Sequence, residues 1–330
     1  MAPDRLRVTG VVSRSRTEFE GVPVFATLDE LLAAERPEFV IASVPWAVMP
    51  DATRELVARG LHTLAETPPA PDLDGLRSLW ADVGASRLVQ VAEQYLLMPA
   101  HAARLAAVRN GVIGAPTSVQ VSSTHLYHAV SMIRGLLGVG FEPATVSARS
   151  FTAPLADPIG FGEWHGDAKP APKATTLATL DFGGRMGLYD FTENQWWNPL
   201  RARRIVVRGT TGELVDDRVV RLTDAHTVVE SHLIRRQTGI DLNLEGFDLD
   251  HISLDGQVLY RNPFMGARFS EDDLGVALLL ARVGAWARDE GPEPYPLADG
   301  LQDHLISLAI LESVERGADV RTGVEPWAPS

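Results

Sequence analysis

The sequence predicts two domains: a doubly wound α/β domain over residues 1–124 and, over residues 125–330, an α+β domain with an open, mostly antiparallel sheet. Strand and helix signals alternate through the first domain, which is typical of a parallel sheet covered by helices. From about residue 144, strand-like runs follow one another with turns between them, which indicates antiparallel pairing. The length of 330 residues also suits two domains of ordinary size.

Apolar runs and helix caps define the elements of the first domain. The run Leu6–Val12 predicts a strand, and Thr27 with Glu30 three residues later predicts a capping box at the start of a helix. Strand and helix signals then alternate regularly. They predict strands at Phe39–Ser43, Leu61–Ala65, Arg87–Ala92 and Thr117–Ser123, and helices at Asp51–Arg59, Leu73–Val83 and Pro99–Arg109.

The second domain combines β-branched runs with glycine-containing turns. The turns Gly183–Gly184 and Gly209–Gly212 suit hairpins. The Pro- and Gly-rich segment Ala153–Pro172 predicts a mobile loop, and Glu271–Glu290 and Pro296–Gly317 predict two long amphipathic helices. The predicted strands are Thr145–Ser150, Thr175–Phe182, Met186–Phe191, Arg204–Arg208 and Val219–Leu222.

Composition and charge exclude several classes of protein. The net charge of -13 argues against nucleic acid or an anionic membrane surface as a partner. Because the chain has no cysteine, disulfides, thiolate nucleophiles and cysteine-ligated metal sites are excluded. No apolar run approaches the roughly 18 residues of a membrane span, and Met1–Gly10 carries charges where a signal peptide is apolar. We therefore expect a cytoplasmic protein with a small-molecule substrate.

Short strings along the chain carry a resemblance that their order and spacing make specific. They are Val22–Leu32, Pro45, Ala58–His62, Glu66–Pro68, Asn110–Gly114, His128 ahead of Leu136–Gly138, Thr211–Leu214 and Gln302–Asp303. In this order the chain resembles the Gfo/Idh/MocA oxidoreductases, the family of glucose–fructose oxidoreductase and inositol dehydrogenase. The resemblance implies a Rossmann-like dinucleotide-binding domain, a C-terminal open sheet, and a nicotinamide and substrate that meet between them.

The Rossmann-like domain is predicted to be incomplete. The family begins with a strand and a glycine-rich loop whose N–H groups hold a pyrophosphate. No G-x-G-x-x-G precedes Leu6, and none follows it. Without that strand, the sheet lacks the member between its two halves, and backbone groups there need other partners. Two explanations remain open: a longer natural chain, or a rearrangement that abandons tight dinucleotide binding, so that this chain binds no cofactor.

The resemblance also implies residues for a cofactor. The Ser13, Arg14 and Arg16 segment follows the strand whose end meets the adenosine ribose, and its hydroxyl and guanidinium groups favour NADP over NAD. The alternative interpretation of this segment is a solvated basic turn. Nearer the nicotinamide, the implied residues are Ser43, Pro45, Trp46, Glu66, Thr67 and Pro68.

The residues that carry the family's chemistry are only partly present. Thr67 stands where the family has a lysine, and a hydroxyl is too weak an acid to replace an ammonium. His128 matches the family's histidine, but Ser131 replaces the carboxylate one helical turn later. His128 is therefore the predicted proton-transfer residue, since an imidazole is a suitable acid or base near pH 7. The alternative for His128 is a helix-capping or core histidine.

Neighbouring residues complete the predicted site. Tyr127 and Tyr95 could give a proton to a reduced product. Glu93, His125 and Trp164 are predicted to contact the substrate, Trp164 by closing over it from the Pro- and Gly-rich loop. A core histidine is the alternative for His125. Two histidines without a carboxylate partner are weak grounds for a metal site, and none is predicted.

Three functions remain open at this stage. The first is an NAD(P)-dependent oxidoreductase of a sugar-like or cyclitol-like molecule. The second is an imine reductase, because the thiazolinyl imine reductases of the same family resemble this chain in lacking the lysine. The third is a non-catalytic relative that binds a ligand or partner. The broad exposed face of the second domain's sheet predicts a homodimer or homotetramer.

Overall fold

A computed structural model describes residues 5–160, 162–166, 168–239, 246 and 248–329. The helices are α1 Leu28–Ala34, α2 Met49–Ala58, α3 Leu73–Val83, α4 Pro99–Arg109, α5 Leu126–Leu137, α6 Glu271–Ala287 and α7 Leu297–Arg316. The strands are β1 Val11–Val12, β2 Val24–Phe25, β3 Val40–Ala42, β4 Thr63–Ala65, β5 Val89–Val91, β6 Pro116–Ser122, β7 Thr145–Leu155, β8 Ala171–Asp181, β9 Met186–Thr192, β10 Arg204–Gly209, β11 Gly212–Val215, β12 Arg218–Asp224, β13 Thr227–His232, β14 Ile234–Thr238, β15 Asp248–Leu254, β16 Gln257–Arg261 and β17 Val320–Arg321.

Local capping explains where the early helices begin. The Thr27 hydroxyl accepts a hydrogen bond from the Glu30 N–H at the start of α1. The Glu30 carboxylate accepts from the Ala26 N–H, one residue earlier than in the predicted capping box. At α3 the Asp72 carboxylate caps the Gly75 N–H. The bounds of α3 and α4 are those that the sequence predicts.

The parallel sheet consists of two separate pieces. In the described residues β1 pairs with β2, and β3, β4 and β5 form a three-stranded sheet. In the described residues β1 pairs only with β2, and β3 pairs only with β4, so Val12 and Ile41 lie on edge strands. Their side chains are 43% and 47% exposed. This break in pairing between β1 and β3 is the gap in the parallel sheet.

Nine strands form the large sheet, in the order β13-β12-β11-β10-β6-β9-β8-β7-β17. The β6–β9 pair is parallel, and the other pairs are antiparallel. The sequence places β6 in the first α/β alternation, but β6 pairs with β9 and β10 in this sheet. Its alternate residues Val119 and Val121 are fully buried in the core of the large sheet, together with residues of α5.

Two parts of the second domain differ from the prediction. The β7–β8 ladder continues to the Leu155–Ala171 pair, so strand occupies both ends of the segment predicted as a loop. Six described strands, β11, β13 to β16 and β17, lie where the sequence analysis predicts none, and β14 to β16 form a sheet of their own. That small sheet packs on the same core, to which it contributes Leu249, Ile252 and Tyr260.

Helix α7 joins the two halves of the molecule. Leu301 and Leu305 pack in the core under the parallel sheet, whereas Ile306 and Ile310 pack in the core of the large sheet. At Gly300 the helix comes so close to β5 that an added Cβ would lie 2.6 Å from a methyl carbon of Val91. The ends of β4 and β5 are thereby held beside α5, which lies against α7.

Candidate functional site

The candidate site lies where the carboxyl ends of β4 and β5 meet the start of α5. Parallel strands bring their carboxyl ends to one edge of a sheet. The segments after β4 and β5 therefore lie side by side, and they carry Glu66–Pro68 and Glu93–Tyr95. Helix α5 starts at Leu126 and presents His128 in its first turn.

A buried contact between a histidine and a carboxylate forms the centre of this site. His128 Nδ1 lies 2.6 Å from Oε2 of Glu93. The two side chains are 11% and 2% exposed. The other carboxylate oxygen of Glu93 accepts a hydrogen bond from the Tyr95 N–H at 3.1 Å. With Nδ1 held in this way, Nε2 is the ring nitrogen left for proton exchange.

The carboxylate next to His128 belongs to Glu93 and not to a residue of α5. The resemblance places the carboxylate partner of His128 at position 131, but the Ser131 hydroxyl donates to the His128 carbonyl within the helix, at 2.9 Å. The carboxylate comes from the segment after β5. In the structure the Glu93 carboxylate contacts His128, and its contact with a substrate stays a prediction.

Aromatic rings surround His128. The ring centroids of Tyr127 and Tyr95 lie 4.3 and 4.5 Å from that of His128, and the centroid of His125 lies at 5.3 Å. Trp196 meets the edge of His125 at 4.8 Å. Together with Glu93, the structure therefore brings together five of the predicted site residues.

Hydrogen bonding connects these rings with the segment after β4. The Tyr127 hydroxyl donates to the Thr67 carbonyl at 3.2 Å. Burial raises the pKa of Tyr127 to about 12, and burial also raises the pKa of Tyr95. Both phenols are thus weaker acids than a free tyrosine and stay protonated near neutral pH.

His125 is a neutral member of the cluster. Burial, with a smaller contribution from His128, lowers the pKa of His125 to about 4. Its Nδ1 is buried and has no hydrogen-bond partner among the described residues.

Sequence reasoning missed His304, which lies on the far side of Tyr127. The centroids of the two rings are 6.0 Å apart. His304 is 6% exposed and lies against the Pro71 backbone, and burial lowers its pKa to about 4. The neighbouring Gln302–Asp303 string was the available signal, since it directs attention to this turn of α7.

The residues expected to bind a cofactor lie in both pieces of the parallel sheet. Ser43, Pro45 and Trp46 follow β3 and are exposed, Trp46 by 56%. The basic segment follows β1, and there the Ser13 hydroxyl accepts from the N–H groups of Ser15 and Arg16, which closes a turn. The Arg14 and Arg16 side chains are exposed.

These residues fit the two ends of a dinucleotide but not its centre. Hydroxyl and guanidinium groups suit a phosphorylated ribose at one end, and Thr67 offers hydroxyl and backbone groups at the other. The described residues contain no glycine-rich turn that leads from a strand into a helix N-terminus at the gap between β1 and β3. A pyrophosphate would therefore lack its usual backbone donors.

Three further observations concern the predicted periphery of the site. Trp164 is 70% exposed, bridges to Ile159, and makes no described contact with the rings around His128. Within the described ranges, no group of three or more His, Asp or Glu side chains is placed so that it could hold a metal ion. No helix in the described part of the chain is long and apolar enough to cross a membrane.

Solved structures share this fold. A myo-inositol dehydrogenase from Corynebacterium glutamicum is 17% identical, with a TM-score of 0.59 over 92% of this chain and 85% of its own. An oxidoreductase from Agrobacterium radiobacter, solved with NAD+, L-tartaric acid and magnesium, is 15% identical, with a TM-score of 0.61 over 91% and 84%. The WlbA dehydrogenase from Bordetella pertussis, in complex with NADH and UDP-GlcNAcA, is 15% identical, with a TM-score of 0.57 over 92% and 85%.

These similarities identify the fold. The chain has the fold of the Gfo/Idh/MocA oxidoreductases, as the resemblance predicts. No protein-family model and no curated protein sequence matches the chain. Function must therefore be argued from the site itself.

A double-mutant cycle tests the ion pair. We expect Glu93→Ala and His128→Ala to show a coupling of about 1.5–3 kcal/mol in the free energy of unfolding, because a buried charged hydrogen bond is lost. Urea unfolding of both single variants and the double variant measures it. The exposed Arg208–Glu213 pair, with N and O atoms 2.7 Å apart, is the control and should give less than about 1 kcal/mol. Equal coupling in the two pairs would contradict the proposed geometry.

The buried histidines predict acid sensitivity. A histidine whose folded pKa is about 4, below the unfolded value of about 6.5, stabilises the fold fully above pH 6.5 and loses that contribution as the pH falls toward 4. For His304 the loss is up to about 3 kcal/mol. His304→Gln should reduce the change in the urea unfolding midpoint between pH 6.5 and pH 4. His226→Gln, in the exposed β12–β13 turn, is the control. Parallel pH curves for all three proteins would rule this out.

Proposed function

We propose that this chain is a nicotinamide-dependent oxidoreductase of a small hydroxylated molecule, sugar-like or cyclitol-like, with His128 as the proton-transfer residue. The observation that carries the proposal is the buried His128–Glu93 pair at the edge where the Thr67 segment and α5 meet. A carboxylate on Nδ1 is the arrangement that fixes an imidazole for general acid–base work at Nε2.

The chemistry assigned to His128 is one proton per turnover. Oxidation of a secondary alcohol to a ketone releases the hydroxyl proton and a hydride from the same carbon. His128 Nε2 takes the proton, and the Glu93 carboxylate stabilises the imidazolium that forms. A bound nicotinamide supplies the hydride acceptor. In the reverse direction His128 returns the proton to the oxygen.

Tyr127 and Tyr95 have a different role from His128. Because the pKa values of Tyr127 and Tyr95 lie above the free value, both hydroxyls act as hydrogen-bond donors and not as proton sources. Tyr127 is already bonded to the Thr67 carbonyl, so it holds the segment after β4 against the site. Thr67 cannot provide the charge of an ammonium, which leaves the proton to His128.

We propose NADP over NAD, held weakly at its two ends. Arg14 and Arg16 would bind the 2′-phosphate, while the absence of a glycine-rich turn from the described residues reduces affinity for the pyrophosphate.

A titration with NADPH and NADH tests the cofactor proposal. Binding should quench the fluorescence of Trp46, which is exposed beyond β3. We expect tighter binding of NADPH, and we expect the double substitution Arg14→Ala and Arg16→Ala to abolish that preference because two charge-assisted contacts are lost. Arg36→Ala, on an exposed residue after α1, is the control. Equal affinities in the unchanged chain would contradict NADP preference.

A second candidate function is ligand binding without catalysis. The observation that favours it is the gap between β1 and β3, since the backbone that normally holds the cofactor's pyrophosphate lies between those strands. Absence of binding up to millimolar cofactor would favour this candidate. Binding followed by turnover would exclude it.

Substitution of His128 tests the catalytic proposal. His128→Ala should lower kcat by about 10²–10⁴, the usual cost of losing a general acid or base. A panel of polyols and cyclitols with NADP+, followed at the absorbance of reduced nicotinamide, provides the assay. His232→Ala, on β13 with an exposed side chain, should leave the rate unchanged. Unchanged turnover in a folded His128→Ala variant removes His128 from the mechanism.

We also propose a homodimer or homotetramer formed through the open face of the large sheet. Phe151 and Leu177 are 52% and 44% exposed on neighbouring strands of this face. Light scattering at micromolar concentration should give a multiple of 35.8 kDa, and Leu177→Asp should shift the mass toward the monomer. Leu311→Asp, on the exposed side of α7, is the control. A monomeric parent chain would refute the proposal.

A further inference from the structure

Besides the ion pair itself, a second buried polar group joins the two elements that carry Glu93 and His128. Its members are Tyr295, Asp303 and Arg134. The Tyr295 hydroxyl donates to Oδ2 of Asp303 at 2.5 Å, and the Arg134 guanidinium donates to Oδ1 at 2.5 Å. The side chains of Arg134 and Asp303 are 4% and 3% exposed.

One end of this group is fixed to β5. The Val91 N–H donates to the Tyr295 carbonyl at 2.9 Å, and the Tyr295 N–H donates to the Gln90 side chain at 2.9 Å. Gln90 and Val91 belong to β5, three and two residues before Glu93. The position of Tyr295 is therefore set by the strand that presents the carboxylate.

The other end is fixed to α5. Arg134 lies six residues after His128, about 9 Å along the same helix. Its guanidinium also donates to the Gly140 carbonyl and to Asp299, so it has little rotational freedom. The helix that presents the imidazole is thus attached through Asp303 to Tyr295, and through Tyr295 to β5.

The two links close a circuit. It runs from Glu93 along β5 to Tyr295, through Asp303 to Arg134, and back along α5 to His128. Burial raises the pKa of Asp303 to about 7, Arg134 opposes that rise, and the charge of Glu93 adds to it.

From this circuit we infer that Tyr295, Asp303 and Arg134 are positioning residues, which set the spacing between the Glu93 carboxylate and the His128 imidazole. The inference rests on the proposed function in one respect, since that function gives the Glu93–His128 pair its catalytic role. None of the three contacts the rings around His128 in the described structure, so each acts through the elements it holds.

A triple-mutant box tests the inference without substrate or cofactor. The coupling between Glu93→Ala and His128→Ala is measured by urea unfolding in the parent chain and again in a Tyr295→Phe background. Tyr295→Phe removes one hydroxyl and keeps the ring. We expect the coupling to fall by at least half. Asp303→Asn, which keeps the size of the side chain, is the second background and should have the same effect.

Tyr260→Phe supplies the matched control. Tyr260 is 8% exposed, lies on β16 and is not part of the circuit. In a Tyr260→Phe background, the coupling between Glu93→Ala and His128→Ala should be unchanged. A loss of total stability in Tyr295→Phe and Asp303→Asn with undiminished coupling would overturn the inference, because a merely structural role changes stability alone. Absence of coupling in the parent chain would instead contradict the ion pair on which the proposed function rests.

Discussion

The carboxylate of Glu93 is almost entirely removed from water, and this burial constrains the rest of the site. An ionised carboxylate in a protein interior costs several kcal/mol unless a cation or hydrogen-bond donors replace its hydration. His128 Nδ1 and the Tyr95 N–H supply that replacement. One partner comes from the segment that carries the carboxylate, and the other comes from α5. The contacts of one buried carboxylate therefore link the segment after β5 to α5.

The scaffold around this pair is continuous, whereas the parallel sheet beyond it is not. Helix α7 contributes side chains to both cores, with Gly300 against β5. On the other side of the three-stranded sheet, β3 is an edge strand, and the apolar residues Val12 of β1 and Ile41 of β3 are exposed. The proton-transfer end is thus built from buried, mutually bonded groups, and the dinucleotide end has an open sheet edge. The oxidoreductase and the non-catalytic ligand binder therefore differ chiefly in whether a cofactor binds at the dinucleotide end.

Local sequence signals predicted the elements that local interactions define. Helix α3 begins at an Asp72 cap and α4 begins at Pro99, and both signals can be read within one turn. The strand β6 was predicted from its alternation, but its partners were not, because pairing depends on residues about 70 to 90 positions away. Strands β13 to β16 were missed because exposed polar residues such as Arg235 and Arg236 interrupt the apolar alternation.

The sequence by itself determined the fold class, the family resemblance and the candidate histidine, because each depends on residues at fixed short spacings. His128 could be singled out from its distance to Gly138. Its carboxylate partner could not be, because the family pattern leads to Ser131 on the same helix. Only the tertiary structure showed that His128 lies against Glu93, 35 residues earlier. Only the tertiary structure likewise showed that Tyr295, Asp303 and Arg134 link β5 to α5. Such contacts follow from how β5, α5 and α7 pack together, and no local period in the sequence encodes that packing.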